Sequence, residues 1–479
     1  MDESKEPSLR DDAPRRVLDG FGRAVSASCR YEKPADVPTL MSLLLRAKRE
    51  GLTVTFRGSG RSYGDAALNR QGIVVDMSGL HRIIRWDPKT NLLEAESGVT
   101  VEALWKHVIA DGFWPVVVPG TMYATLGGCL AVNVHGKNNF QQGTFGDHVV
   151  NFDLLMASGE ILTCSRDLHP EVFFGTIGGM GLLGAVVRMT LRLRKVQDGE
   201  VRVTSFTTPN LRETLDQFER LLPKSDYVVG WVDAFAKKAQ LGRSEIHAAA
   251  HLTASSRPSN ASTLTVEAQN LPSKIFGFPH TEIWKFMRPF ANPHAMALVN
   301  AAKFHLARTS QKKTYLQSHA AFAFLLDYIP DWRLAYGDGG FIQHQLFVPD
   351  SNAYSCIESV LKTCQKSGHV PYLAVLKRHR PDEFLLTHAL DGWSLALDFR
   401  ITEPTRGAIW TLLRNVTSQV LEAGGKFYFA KDAVLTANDV ERAYGRDRVA
   451  AFLKLKEKLD PTGLFGSDLA ERVFSIHEP

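Results

Sequence analysis

The chain has 479 residues, 44% hydrophobic and 22% charged, with a formal net charge of +5; these are ordinary values for a globular protein of two or three domains. Lysine and arginine are scattered and nearly balanced by acids, so no basic stripe marks a nucleic-acid-binding face. The five cysteines, Cys29, Cys129, Cys164, Cys356 and Cys364, are widely spaced and form no Cys-x-x-Cys pair, which argues against a disulfide framework or a metal site and for a reducing compartment. No run of about 18 apolar residues is present, and the polar start Met1–Pro7 lacks an apolar signal core. A cytoplasmic protein is expected, with peripheral attachment at the inner membrane left open.

Residues 1–29 read as a charged, flexible leader. A helix is expected over 36–51, where Asp36 can cap it, Leu40, Leu43, Leu44 and Ala47 share one face, and Gly51 ends it. Leu52, Val54 and Phe56 then alternate as a strand running into Arg57–Gly64, and further strands are expected at 73–77, 82–87 and 92–96. A helix from Val101 to Asp111 pairs Leu104 with Val108 and Trp105 with Ile109 before Gly112. A long strand covers Ala185–Leu193. The pattern changes near 197, and the Ser-, Thr-, Asn- and Pro-rich stretch 253–280 reads as a mobile loop.

From Phe341 the periods are clear. Strand Phe341–Val348, helix 352–367, strands 371–377 and 393–399, helix 407–423 and strand Lys426–Ala430 give the order β-α-β-β-α-β, the ferredoxin-like arrangement. The fold class is α+β. Its expected divisions are residues 30–196, 197–425, and a C-terminal return of 426–479 to the first domain.

Four glycine-rich stretches, Arg57–Gly64, Pro119–Gly128, Gly143–Gly146 and Gly178–Gly184, fall in the N-terminal part. Small residues let backbone N–H groups approach a pyrophosphate closely. None has the strand–Gly-x-Gly-x-x-Gly–helix context or the Gly-x-x-x-x-Gly-Lys-Ser/Thr spacing, so a Rossmann site and a P-loop both read poorly.

Together these stretches resemble the vanillyl-alcohol-oxidase superfamily, which implies a two-domain PCMH-type FAD-binding fold with the ferredoxin-like sheet as its cap. Arg57–Asp65, Val134-His135-Gly136-Lys137-Asn138, Phe341-Ile342-Gln343-His344-Gln345, Tyr428-Phe429-Ala430-Lys431-Asp432 and Phe465–Ala470 are similar to the oxidases of decaprenylphosphoryl-ribose 2′-epimerisation. The resemblance covers about residues 30–475 and is weakest between 200 and 330. It implies FAD, oxidation of a polyprenylphosphoryl-ribose 2′-hydroxyl to the ketone, and a separate NAD(P)H-dependent short-chain reductase as partner. A free-sugar alditol or aldonolactone oxidase and a catalytically silent flavin- or lipid-binding subunit are the competing readings.

The same resemblance assigns the sites. The cofactor shell comprises Arg57, Gly58, Ser59, Gly60, Arg61, Ser62, Tyr63, Met77, Pro119, Gly120, Thr121, Thr125, Gly127, Gly128, Ala131, Val134, His135, Gly181, Gly184, Val186, Tyr428 and Ala430. Where covalent relatives carry a linking histidine this chain has Arg61, which implies non-covalent FAD. Lys431, Tyr428, His135 and Tyr63 are the catalytic candidates; Lys137, Gln343, Gln345, Lys377, Ala396 and Lys431 face the substrate. Ala396 stands where the family's best-known member has cysteine. Removal of a carbinol hydride requires loss of the hydroxyl proton, so a base or a proton path belongs nearby, and Lys431 could serve as that base or stabilise the alkoxide as a cation. A lone lysine after an edge strand is ordinarily solvated; the matched motif is what brings Lys431 into the site. Gln343 and Gln345, two apart on a strand, share a face suited to sugar hydroxyls or a phosphate.

Overall fold

The computed structural model describes residues 15–253, 261–275, 277–309 and 311–475. The first sheet orders strands β1 (Arg15–Asp19), β2 (Ser26–Glu32), β4 (Ile73–Asp76) and β3 (Val54–Arg57) as β1-β2-β4-β3, with β2 and β3 parallel to β4. The helix Val37–Arg49 makes the crossover. Asp36 accepts a hydrogen bond from the Thr39 N–H at 2.8 Å, and Leu40, Leu43, Leu44 and Ala47 are buried as the spacing predicts.

Residues 15–29 are not a loose leader. They form β1 and the start of β2, where Ala27 and Cys29 point inward and Ser26 and Ser28 outward. Small alternating residues carry little hydrophobic signal, and only pairing with β4 reveals the strand. The rest of the expected leader, 1–14, lies outside the described residues.

The second sheet runs β5 (Ile83–Asp87), β6 (Leu92–Glu96), β10 (Ala185–Lys195), β8 (Val149–Leu155) and β9 (Ile161–Ser165), with β7 (Phe113–Pro115) pairing β10. The chain's end closes this domain: Leu464 and Gly466 exchange backbone hydrogen bonds with Val54 at 2.7 and 3.0 Å. Phe465 is fully buried beside Leu40, Val54 and Ile73.

The cap is one eight-stranded antiparallel sheet. Its C-terminal half contains β17 (Phe341–Pro349), β18 (Leu373–His379), β19 (Gly392–Arg400) and β20 (Lys426–Phe427) in the spatial order β18-β19-β17-β20, the ferredoxin-like order expected. The other half was not expected. β11 (Glu200–Thr208), β12 (Tyr227–Val232), β13 (Ser244–His251) and β16 (Thr314–Ser318) run β16-β11-β13-β12, the same order repeated, with helices Leu211–Leu221 and Pro293–Thr309 in the corresponding connections. The two halves join edge to edge where Gly230 and Trp231 of β12 pair with Leu376 and Val375 of β18.

Within 253–280, residues 254–260 and 276 lie outside the described residues. What is described is not one structureless loop: it contains a short helix, Val266–Gln269, and the ribbon β14 (Lys274–Ile275) with β15 (Phe278–Pro279). The buried Gln269 amide donates to Gly199 O at 2.8 Å and accepts from Ala320 N–H at 3.1 Å, a non-local anchor with no local periodicity. The expected strand Lys426–Ala430 also stops early. After Phe427 the chain tightens into a 3₁₀ turn, Phe429–Lys431, with Lys431 N–H bonded to Tyr428 O at 2.8 Å.

Candidate active site

The glycine loops and the open face of the cap sheet enclose a cavity of about 600 Å³. Its two ends are stitched together by contacts between residues remote in sequence. Tyr63 N–H donates to Ala430 O at 2.7 Å, and a Cβ on Gly64 would sit 1.7 Å from Asp432 O, so only glycine permits this approach. Below it, Arg472 spans Asp65 at 2.8 Å and the buried Asp432 at 2.9 Å. The turn carrying Lys431 is thereby fixed to the loop carrying Tyr63.

At the loop end, Gly58, Ser59, Gly60, Arg61, Ser62 and Tyr63 line the cavity with Pro119, Gly120, Thr121, Thr125, Gly128, Ala131, Val134, His135, Tyr428 and Ala430. A side chain at Gly58 would collide with Thr125 Oγ1 at 2.1 Å, so the first loop meets the second as bare backbone against the Thr125 side chain. The Arg61 guanidinium lies 5.2 Å from the ring centroids of both Phe21 and Tyr123, and its buried Nε has no protein hydrogen-bond partner. A held cation with an unspent donor beside bare backbone suits a pyrophosphate. Asp327 ties the cap to this end: it accepts from Thr121 Oγ1 and from Met122 N–H, both at 2.7 Å. Burial nevertheless raises its carboxyl to about 6.

Six of the expected cofactor residues stand behind this wall instead of lining it. Arg57 braces the loop by donating to Asp19 O at 2.9 Å and Ala67 O at 3.3 Å. Met77 is in the first-sheet core. Gly127 packs on Ser97, Gly181 on Phe56 and Gly184 on Leu154, and Val186 pairs with Leu154 inside the second sheet. A glycine run specifies a close approach but not what is approached, so neighbours of the wall carry the same signal as the wall.

At the sheet end, register places the polar side chains. Gln343 lies opposite Asp398, and Gln345 opposite Ala396, which in turn lies opposite Val375. Gln343, Gln345, Ala396, Asp398, Lys137, Lys377 and Lys431 all line the cavity. Lys431 Nζ rests 3.3 Å from the centroid of the Tyr63 ring. Burial lowers its proton affinity below that of an ordinary lysine, while the Asp398 carboxylate pulls it back up. Asp398 is fully buried; Gln343 Nε2 donates to its Oδ1, its Oδ2 has no partner, and burial raises its carboxyl. Lys137 donates to Phe322 O, and its ammonium stands 4.4 Å from that ring's centroid. Burial lowers Lys137 to about 7 and Lys377 to about 8.

Behind His135 sits a buried relay. Gln345 Nε2 lies 3.0 Å from His135 Nε2 and 3.3 Å from Ser394 Oγ, which is 2.7 Å from His379 Nε2. With the amide donating, His135 Nε2 accepts and Nδ1 carries the proton. His135, His379 and His388 pack with Phe347 and Tyr428 at centroid separations of 4.5 to 5.6 Å. Burial holds all three imidazoles neutral, His388 down at about 3 and the other two well below 6.5.

Part of the remaining wall comes from the unexpected half of the cap: Trp231, Glu245, His247 and Lys303. Glu245 meets Lys303 and His247, the latter at 3.0 Å. Burial alone would raise its carboxyl, but the hydrogen bonds and charges of His247 and Lys303 prevail and hold it at about 2. Its signal in the sequence was the pair Glu245 and His247 two apart on one strand face. Among the described residues, no group of three or more His, Cys, Asp or Glu is placed to hold a metal ion.

Comparison with known proteins agrees with this geometry. Residues 30–165 match the FAD binding domain family. The chain is 31% identical to the decaprenylphosphoryl-β-D-ribose oxidase of Mycolicibacterium smegmatis over 471 residues, 95% of this chain and 97% of that protein. It belongs to the decaprenylphosphoryl-β-D-ribose oxidase family. More distant similarity extends to L-gulonolactone oxidase of Bos taurus, 23% identical over 93% of this chain and 94% of that protein. D-arabinono-1,4-lactone oxidase of Yarrowia lipolytica is 25% identical over 44% and 40%. As a member of the family, the chain is an FAD-dependent oxidoreductase of the PCMH-type superfamily. No helix among the described residues is long and apolar enough to cross a membrane.

Proposed function

We propose that this oxidase removes the 2′-hydrogen of a polyprenylphosphoryl ribose as hydride and gives the 2′-keto sugar, the first half of epimerisation to the arabinose compound. The observation that carries the reading is the convergence of Lys431, two glutamines and two further half-buried lysines on one side of a cavity whose other end is lined by the glycine loops and Arg61. Bound FAD, held by Gly58–Ser62, Pro119–Thr121 and Gly128 without a covalent link, supplies the hydride acceptor. The protein's own part is the proton and the pose. Neutral Lys431, its basicity adjusted by burial and Asp398, takes the hydroxyl proton as the C–H bond breaks, so that alkoxide charge does not accumulate. The Tyr63 ring keeps the amine from swinging away, and Tyr428 frames the cavity beside it. Gln343 and Gln345 order the sugar hydroxyls, while Lys137 and Lys377 receive the phosphate. Ala396 leaves room where a thiol would stand; no step uses one. A separate NAD(P)H-dependent short-chain reductase then consumes the ketone.

The test is anaerobic mixing of the yellow holoenzyme with polyprenylphosphoryl ribose in a stopped-flow instrument. Bleaching of the flavin band with formation of one keto sugar per flavin is expected. No bleaching with this substrate, but rapid turnover of a free sugar lactone with hydrogen peroxide release, would replace the reading by the lactone-oxidase one.

A further inference from the structure

Fifteen large apolar side chains are exposed among the described residues, and ten of them fall between residues 278 and 325. They are Phe278, Phe286, Met287, Phe290, Leu298, Val299, Leu306, Tyr315, Leu316 and Leu325. Scattered single exposures are normal, but such a concentration in a tenth of the chain marks a binding surface. The helix Pro293–Thr309 shows it within one element. Asn300, Phe304 and Ala307 turn inward, whereas Leu298 is 73% and Leu306 70% exposed. Tyr315 and Leu316 lie on β16, the unpaired outer edge of the cap sheet, where apolar side chains are a liability unless something covers them.

Two further observations identify the cover. Between Lys274 and Leu316 the chain carries seven lysines and arginines but a single acid, Glu282. This contrasts with the near balance of 56 basic to 51 acidic residues overall. Lys274, Lys285, Arg288, Arg308, Lys312 and Lys313 are all exposed. Lys285 meets Glu282 and Arg288 meets Asp338 at 3.1 Å, which leaves Lys274, Arg308, Lys312 and Lys313 as the positive excess; exposed apolar groups interleaved with a positive excess are the composition of a surface that settles into an anionic lipid interface. The patch also adjoins the cavity. Lys303, from the helix bearing Leu298 and Leu306, and Leu325, itself 47% exposed, both line the cavity. The helix Ile283–Met287, which bears Phe286, packs on the turn Trp332–Tyr336, whose Trp332 lines it too.

We propose that the exposed residues within 278–309 and 311–325 form a membrane-docking surface that seats the cavity mouth on an anionic bilayer, so that a lipid-linked sugar enters head first while its chain stays in the bilayer. The proposal rests on the lipid-linked substrate reading for its purpose, but not for its test. The holoenzyme is floated with vesicles of phosphatidylcholine alone and of phosphatidylcholine containing about one-third phosphatidylglycerol, with no sugar present. The parent is expected to bind the anionic vesicles and to release in high salt. Two variants probe the surface: Phe286→Ser/Phe290→Ser/Leu298→Ser/Leu306→Ser, and the milder Lys312→Glu/Lys313→Glu, which touches no packed side chain. Each should lose about tenfold or more in vesicle affinity while keeping full flavin content. A parent that ignores anionic vesicles, or variants that bind them as the parent does, would overturn the proposal. So would sedimentation showing a dimer that both variants dissociate, since a second copy would then be the cover. Failure of flavin bleaching by polyprenylphosphoryl ribose, with vesicle binding intact, would instead strike only the substrate reading.

Discussion

Replacing Lys431 with alanine removes an ammonium seated on the Tyr63 ring, and the fold should lose little by it. A desolvated cation–π contact contributes about 2 kcal/mol, and deleting a buried charge relieves a desolvation cost of opposite sign. Asp398, left without that cation, takes up a proton more readily and need not remain a buried anion. Lys431→Ala should therefore melt within a few degrees of the parent and keep its FAD. Flavin reduction should fall by about 10²-fold or more, equivalent to about 3 kcal/mol of barrier. Lys431→Arg should restore little, because a guanidinium is planar and does not act as a base at neutral pH. The pH dependence tests the role more finely. Burial lowers the amine's pKa from 10.5, so the reactive neutral form is gained as pH rises through the lowered value and lost below it. The Asp398 carboxylate raises that value, so Asp398→Asn should move the rising limb to lower pH. The assay is anaerobic stopped-flow reduction at saturating substrate from about pH 5 to about pH 9, with flavin content measured on the same samples. Near-parent reduction by Lys431→Ala would refute the assignment, and a rate that falls with rising pH would show that the ammonium, not the amine, is used.

Acid precipitation should release all flavin as free FAD, because the loop Arg57–Gly64 contains neither histidine nor cysteine and burial pushes the Cys129 thiol up to about 12; colour retained on the polypeptide would contradict this. Lys377→Ala and Gln345→Ala should weaken substrate binding more than they slow reduction at saturation, as single-turnover titrations would show; a slowed step with unchanged binding would move them into the chemistry. Arg472→Met should cost about 3–5 kcal/mol in chemical denaturation, since it leaves the Asp65 and Asp432 carboxylates without their shared cation; a loss below about 1 kcal/mol would mean that the turn carrying Lys431 is held otherwise. His388 stays neutral down to about 3 in the folded protein, whereas its unfolded counterpart protonates near 6.5. The unfolded state thus binds more protons in that window, and stability is whole above 6.5 and falls as pH drops towards 3. His388→Phe should reduce that slope by up to about 1.4 kcal/mol per pH unit, and an unchanged slope would count against burial as the cause.

The sequence by itself determined the elements whose signal is local. Asp36 and the spacing of Leu40, Leu43, Leu44 and Ala47 define a helix without outside help, and the alternations after Phe341 define half of the cap. It also named a little under half of the cavity wall, with Gln343, Gln345 and Lys431 among the polar groups facing it, because glycine loops and motif order survive in one dimension. Tertiary structure decided the rest. Whether a glycine lines a cleft, as Gly58 does, or merely packs behind one, as Gly184 does, depends on what lies across from it. The repeated half of the cap was hidden because its edge strand is short and exposed, and its helix Pro293–Thr309 is apolar on its outer side as well as its inner one. Asp398 became a partner for Gln343 only through the register of β19 on β17, and for Lys431 only through the turn Phe429–Lys431. Glu245 acquired its strong acidity from its strand neighbour His247 and from Lys303, 58 residues away. Backbone periodicity is set by neighbours along the chain, but burial, charge pairing and the basicity of a buried amine are set by neighbours in space.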